Sequence, residues 1–566
     1  MLWVFIHQAA FSLALIGLGT VLYSALFNGF TVNRPRKDDV TLIEQMGYCG
    51  FIGLFLLAIV GMSVHFFVRI HAAIPLVVST CGLIMFFRFY KDYLREMRKA
   101  DVIYFLLFLM FVSWMSSRNI IHGDTGLYHL QAVKWCTQSP IVYGLANLHG
   151  RFGFNSAWWV DAAMFEVPWL SGKSCFVING TFATLFGLVM IGCLTRLVNR
   201  RAEGSDVMMI LSVVLFYRQI TYENNPSLSS DLPANLLILV SMNCLFKTLI
   251  RESKEKQLWI GLALIFSTLA ATIKLFAMPL LAGIVLFAVY SSFISRAGGL
   301  AIKPDKRIIL TIATCVIFAA LWDLRGIVIS GYPLYPVNLL PVKGLQWRVP
   351  ESIINWDNQA IKLFARSRGL INLSPSEMWA AYLRGQNLGN IIFGLSLSIV
   401  CGYLAIYALL KKRDMKISPM PYAIALSISA FGLIFCLYYA PALRFASGYF
   451  FCFIGLSLGY ILNKYSFNAW SPILGKTNLT ALLLVAFVMG GGFKVFRKVP
   501  LWDLPKTPEA VHVVEERTKE GLKIFVPQGE YPFAWNSPIP STPYFNPDLR
   551  AVVRDNGEIV QFYFAR

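Results

Sequence analysis

The sequence predicts an all-α polytopic membrane protein of about fourteen transmembrane helices, with helices in the loops of one face and a small C-terminal α+β appendage. Three observations lead there. Of 566 residues, 57% are hydrophobic and 14% charged, and the mean hydropathy is +0.59; a soluble domain needs a larger polar fraction to cover its surface. Apolar runs such as VIYFLLFLMFVSWM, LLILVSMNCLF and FAMPLLAGIVLFAVYSSF recur along most of the chain. Each, alone or with its flanks, is long enough to cross a hydrocarbon core about 30 Å thick. Finally, Lys and Arg gather on alternate connections: RPRK at 34–37, KDYLREMRK at 91–99, RLVNRR at 196–201, KTLIRESKEK at 247–256, KPDKR at 303–307 and KKRDMK at 411–416. That alternation is what the positive-inside rule produces. The net charge of +20 therefore reads as topology, not as a nucleic-acid footprint.

Taken in order, the spans fall near 2–27, 46–68, 72–90, 101–118, 172–194, 206–219, 231–249, 257–273, 276–294, 308–329, 388–410, 420–439, 445–463 and 476–493. The N-terminus lacks a basic leader, so MLWVFIHQAAFSLALIGLGTVLY reads as a first span, not a cleaved signal. The ten cysteines lie mostly inside apolar runs, without CxxC pairs or zinc spacing, and read as small core hydrophobes. The chain divides into extra N-terminal helices (1–100), a central membrane module (101–330) whose first outer loop is 119–171, an extracytoplasmic loop (331–387), C-terminal helices (388–493) and an extracytoplasmic domain (494–566). In that last region KTPEAVHVVEERTKEGL reads as an amphipathic helix and KIFVPQ as a strand. LRAVVRDNGEIVQFYF reads as a hairpin turned at Asn556–Gly557. No internal repeat of the kind many transporters carry is visible.

Chemistry concentrates where the fourth span ends, in NIIHGDTGLYHLQAVKW (119–135). Asp124 precedes a helix-forming stretch, so its carboxylate is placed to cap that helix, a role that does not exclude chemistry. Leu127, Leu130 and Val133 mark an apolar face while His129, Gln131 and Lys134 spread around the rest, as on a helix lying along the membrane surface with polar groups turned to a cleft. The run continues into IVYGLANLHGRFGFNSAWW, where His149, Arg151, Asn147 and Asn155 supply donors and Trp158 and Trp159 suit the interfacial belt. An ordinary interfacial loop accounts for the same residues. YENNPSLSSDLPANLL adds Glu223 and Asp231, the latter also a plausible cap. Lys274, in AATIKLFAMP, either snorkels or meets an anion, because a lysine at membrane depth costs roughly 2.5–3.5 kcal/mol. Arg325 and Arg444 fall at outer span ends, with Asp323 a ready partner for Arg325. Cations and carboxylates on one membrane face suit a phosphate-bearing lipid: Arg and Lys hold the phosphate and a carboxylate takes a proton from an incoming hydroxyl.

GDTGLYHLQ, SSDLPANL and ATIKLFAMP on a multi-span body resemble the GT-C superfamily of membrane glycosyltransferases, which includes protein O-mannosyltransferases, oligosaccharyltransferases and the aminoarabinose transferases of lipid A. GLYHLQ, NLHGRFGFNS and SGYPLYP also resemble an uncharacterised bacterial membrane family associated with surface-polysaccharide synthesis. The likeness covers most of residues 100–450. It implies Asp124 as base or acceptor-orienting carboxylate, Glu223 or Asp231 as second acid, and Lys274, Arg325 and Arg444 as ligands of the donor phosphate. Tyr128, His129, His149, Arg151, Asn155 and Tyr332 complete the implied substrate-binding set. The implied partners are a polyprenyl-phosphate-linked sugar and a glycan, lipid or protein acceptor. The implied location is the plasma (inner) membrane, with the site on the extracytoplasmic face. Two departures stand out: the first acidic loop follows the fourth span, not the first, and no Asp-x-Asp is present, which leaves a divalent metal (Mg or Mn) open. A polysaccharide polymerase would share these features, differing in product chain length. A lipid-linked oligosaccharide flippase would instead place charge near mid-span.

Overall fold

The computed structural model describes residues 1–27, 40–96, 99–167, 174–199, 201–212, 225–251, 253–294, 301–302, 305–367, 377, 380, 418–464, 512–529 and 533–565. Among them the helices are α1 (Leu2–Phe27), α2 (Leu42–His65), α3 (Ala73–Glu96), α4 (Lys99–Ser116), α5 (Leu130–Gln138), α6 (Ala157–Ala163), α7 (Ile178–Val198), α8 (Gly204–Leu211), α9 (Asp231–Ile250), α10 (Ser253–Ile273), α11 (Met278–Val289), α12 (Lys306–Ser330), α13 (Glu351–Ser367), α14 (Met420–Tyr439) and α15 (Leu443–Lys464). Among the described residues ten segments are long and apolar enough to cross a membrane, each coinciding with an expected span. The expected span at 101–118 is a shorter apolar helix. The one at 206–219 is described only as far as α8, and those at 388–410 and 476–493 lie outside the described residues.

The bundle is sorted by burial. The segments Ser174–Val198 and Asp231–Ile250 are buried over 100% and 94% of their apolar windows, Ala73–Arg95 over only 22%, so α7 and α9 form the centre and α3 the rim. In lipid the hydrophobic effect does not drive helices together, and close packing takes its place. Gly19 abuts the Cys49 carbonyl and Gly53 the Leu15 carbonyl, so a Cβ at either position would strike backbone. These contacts let α1 lie directly against α2.

Among the described residues the segment between α4 and α7 folds into a π-helical turn (Thr125–His129), α5, two 3-10 turns, α6 and a third 3-10 turn (Ser174–Val177). Against it lies the tail, which carries two antiparallel pairs, β1 (Val513–Arg517) with β2 (Lys523–Pro527) and β3 (Leu549–Val553) with β4 (Ile559–Phe564). The hairpin turns where expected, with Gly557 at φ +82°, a left-handed conformation glycine adopts without steric penalty. The expected helix over 506–522 is a correction: residues 513–517 are strand β1. Its Glu and Arg favour helix locally, but its ladder with the apolar KIFVP strand wins, as tertiary context commonly does. Tyr143 donates to the Val560 carbonyl (2.9 Å) and accepts from the Phe562 amide (2.8 Å). The tail thus extends the loop segment with main-chain hydrogen bonds. A further helix, α13, occupies the polar stretch in which no element was expected.

Candidate functional site

Asp124 occupies the cap position of the π-helical turn, yet its backbone is helical and its side chain caps nothing. The capping alternative therefore gives way. The carboxylate instead faces two guanidinium groups, Arg151 and Arg444, each at 3.6 Å. Asp231 is likewise not a cap; it is the first residue of α9, where an acid meets the positive end of the helix dipole. Its carboxylate pairs with Lys274 and lies 3.9 Å from Arg444 Nε. Arg444 thereby bridges two carboxylates from separate segments. Lys274 is itself the extended residue that follows α10. Arg444 is placed by Asn235, whose amide donates to the Arg444 carbonyl (2.7 Å) while its Oδ1 accepts from the Gly448 amide (2.8 Å). The Phe445 ring lies 4.8 Å from both the Lys274 ammonium and the Arg444 guanidinium, close enough for cation–π attraction.

Four of these five charged side chains stay reachable: Arg151, Asp124, Lys274 and Arg444 are 22%, 26%, 28% and 40% exposed, and Asp231 is 5% exposed. Behind them is an aromatic wall. Arg151 stands 5.3 Å over the Tyr128 ring, and Trp159 packs on Tyr128 and His129. The Thr125 amide donates to His122 Nδ1 (3.2 Å), which makes that nitrogen an acceptor. The Thr125 hydroxyl accepts from the Leu228 amide (3.3 Å) and lies 3.3 Å from His129 Nδ1. Burial disfavours the charge on Asp124, but the positive field around it, that of Arg444 foremost, outweighs burial and holds the carboxyl below the usual carboxylate range. Burial pushes His129 well below its ordinary value despite the attraction of Asp124. His149 is pushed down to about 3 by burial and then by Arg151. The site is thus anionic carboxylate, permanent cation and neutral imidazole.

Of the residues singled out from the sequence, the structure brings together Asp124, Tyr128, His129, His149, Arg151, Asp231, Lys274 and Arg444. Glu223 lies outside the described residues. Asn155, Arg325 and Tyr332 belong elsewhere. Arg325 donates to Asn155 Oδ1, and Asn155 exchanges hydrogen bonds with Trp322. Tyr332 is wholly buried with Tyr335 and Val349 and donates to the Val349 carbonyl (3.2 Å). Among the described residues Asp323 forms no ion pair with Arg325. Gln131 and Lys134 do not turn to a cleft: Gln131 donates to the Trp535 and Ser537 carbonyls (2.9 Å each) and Lys134 to Asn536 (3.1 Å). The expected surface helix is therefore roofed by the tail. Gly126 makes this possible, because a Cβ there would enter the Trp535 ring. The sequence reading missed Asn235, Phe445 and Tyr544, whose ring meets His149 at 5.3 Å and Trp356 at 5.4 Å; each meets at least one partner remote in sequence, which leaves no local pattern.

A divalent metal fits these residues poorly. Among the described residues no three His, Cys, Asp or Glu side chains converge as ligands, and Asp124 and Asp231 already face cations. What the cluster can do is hold an anionic group between Arg151, Lys274 and Arg444, with two carboxylates beside it. Residues 1–451 match the family described as "Domain of unknown function (DUF8201)". No curated protein and no solved structure matches the chain.

Proposed function

The chain belongs to that family, and on this geometry we propose that it is an integral membrane glycosyltransferase taking a sugar from a polyprenyl-phosphate donor. The transfer takes place on the extracytoplasmic face of the plasma membrane, to a cell-surface glycan or lipid. One observation carries the reading: Arg444 is shared between Asp124 and Asp231 in an accessible position. A donor phosphate competes for Arg444, Arg151 and Lys274. As it takes them, it removes the positive field that keeps Asp124 a weak base, so the carboxylate gains basicity only when donor is present. The acceptor oxygen then bonds to the anomeric carbon and its proton passes to Asp124. The anomeric carbon–oxygen bond to phosphate breaks, and the departing lipid phosphate stays with the cations. Neutral His129 and His149 wall the site without adding charge. GDTGLYHLQ and SSDLPANL, which carry the GT-C resemblance, supply both acids.

The test is a deletion strain complemented with wild type or Asp124→Asn at matched membrane levels, its surface glycans and lipids profiled by mass spectrometry. The proposal expects a defined sugar mass that wild type restores and the variant does not. A deletion that alters no glycan or lipid overturns it.

A further inference from the structure

Arg325 belongs to no ion pair among the described residues, although it is only 6% exposed. Nη1 donates to Asn155 Oδ1 and Nη2 reaches Cys136 Sγ at 3.8 Å, while Nε has no partner. Both partners are neutral, since burial pushes the Cys136 thiol up against the pull of Arg325. A buried guanidinium without a counter-charge is strongly unfavourable. It does not stand alone. Arg325 lines a cavity of about 10 Å³ with His65, Trp135, Cys136, Trp159 and Ile329. The indole N–H groups of Trp135 and Trp159, two residues of that lining, are buried with no acceptor, and His65 Nε2 donates to the Ser139 carbonyl (3.2 Å), which leaves its Nδ1 as a buried acceptor without a partner. One permanent cation and three unanswered N–H donors thus belong to residues that line one small space.

We propose that this cavity binds a single halide-sized anion, chloride in the cell, held by Arg325 Nε and the indole N–H groups of Trp135 and Trp159. The volume admits about one water-sized particle, which excludes phosphate, sulfate and carboxylates. A water molecule would satisfy the indoles but leave the guanidinium charge uncompensated. The anion also props the wall of the Asp124 site, because Trp159 packs 5.5 Å from the Tyr128 ring and 5.4 Å from His129. The assignment is independent of which reaction that site performs.

The full chain is melted in detergent or nanodiscs at constant ionic strength, in sodium chloride, bromide, gluconate or sulfate, and crystals are grown in bromide. The expected result is a saturable rise in melting temperature with chloride and bromide only, and a bromide anomalous peak beside Arg325 Nε. Arg325→Met, a replacement of similar volume, loses the halide response; Trp159→Phe, which keeps the ring but removes one donor to an anion, requires roughly tenfold more halide. If Arg325→Met does not fold, Trp159→Phe and the bromide peak decide. Identical melting of wild type in chloride and gluconate, a halide response retained in Arg325→Met, or an absent bromide peak overturns the proposal.

Discussion

Helix α9 begins in one charge cluster and ends in another, and the two are built differently. At its start Asp231 meets Lys274 and Arg444, with Asp124 and Arg151 beyond, in a group of mostly accessible side chains. Near its other end Lys247 reaches Glu44 (2.7 Å) at the start of α2, and Glu44 joins Arg196 of α7, which clasps Asp206 of α8 (2.6 Å). Tyr48 donates to Glu44 (2.9 Å) and accepts from Asn243 (2.8 Å), and the Lys247 ammonium sits 4.4 Å from the Trp259 ring. Every charge in that second group is at most 5% exposed, and two acids face two bases. Nothing there is reachable, and the network ties α2, α7, α8 and α9 together. In the first cluster the arginine contacts are longer, at 3.6–3.9 Å, and most of the side chains are open to solvent. Dense neutral pairing belongs to architecture, whereas loose bridging in reach of solvent belongs to a site that exchanges partners.

The largest effect that separates the two comes from Lys247→Met. Removing one cation from this buried, balanced network leaves one negative charge uncompensated, at about 3–5 kcal/mol. Folded yield and melting temperature are expected to collapse while product per surviving folded molecule stays near wild type. Next, Arg444→Lys keeps the charge but cannot span both carboxylates; donor KM is expected to rise at least tenfold with melting within a degree or two of wild type. Equal loss of stability in the two variants would erase the distinction. A smaller effect comes from Gly126→Ala, which pushes Trp535 off its seat at about 1–3 kcal/mol. Protease cleavage of the tail near 535 is expected to accelerate, and an unchanged cleavage rate would show that the tail does not roof the site.

The last effect is on pH dependence. Burial lowers His129 and His149, the latter to about 3, while unfolded histidine titrates near 6.5. From about pH 6.5 down to about 3 the unfolded chain binds more protons, so stability is full above that window and falls within it. The slope is at most about 1.4 kcal/mol per pH unit for each histidine. Melting from pH 8 to 5 reads this, and His149→Gln is expected to flatten the curve.

Much of the membrane body was legible because a span is a local property: twenty apolar residues between polar ends announce themselves wherever the chain goes. Asp124 and Lys274 were legible for the same reason, as ionisable residues where apolar runs stop. The bridging role of Arg444 was not, since it depends on α15 docking against α9 through Asn235. RLVNRR read only as a basic connection that marks topology, yet Arg196 is 4% exposed, because its partners stand at positions 44 and 206 and only the fold assembles them. Arg325 was assigned to the phosphate on charge and position alone; the cavity that surrounds it comes from α5 and α6 meeting α12. The 513–517 strand was misread because its partner, not its composition, decides its conformation.

The most direct measurement is on purified Asp124→Asn in nanodiscs: its melting temperature, and sugar transferred from a polyprenyl-phosphate donor per folded molecule. The account predicts wild-type melting within a few degrees, because Asp124 caps no helix, together with a loss of transfer of about 10²-fold or more. Transfer at the wild-type rate by a well-folded variant would contradict it.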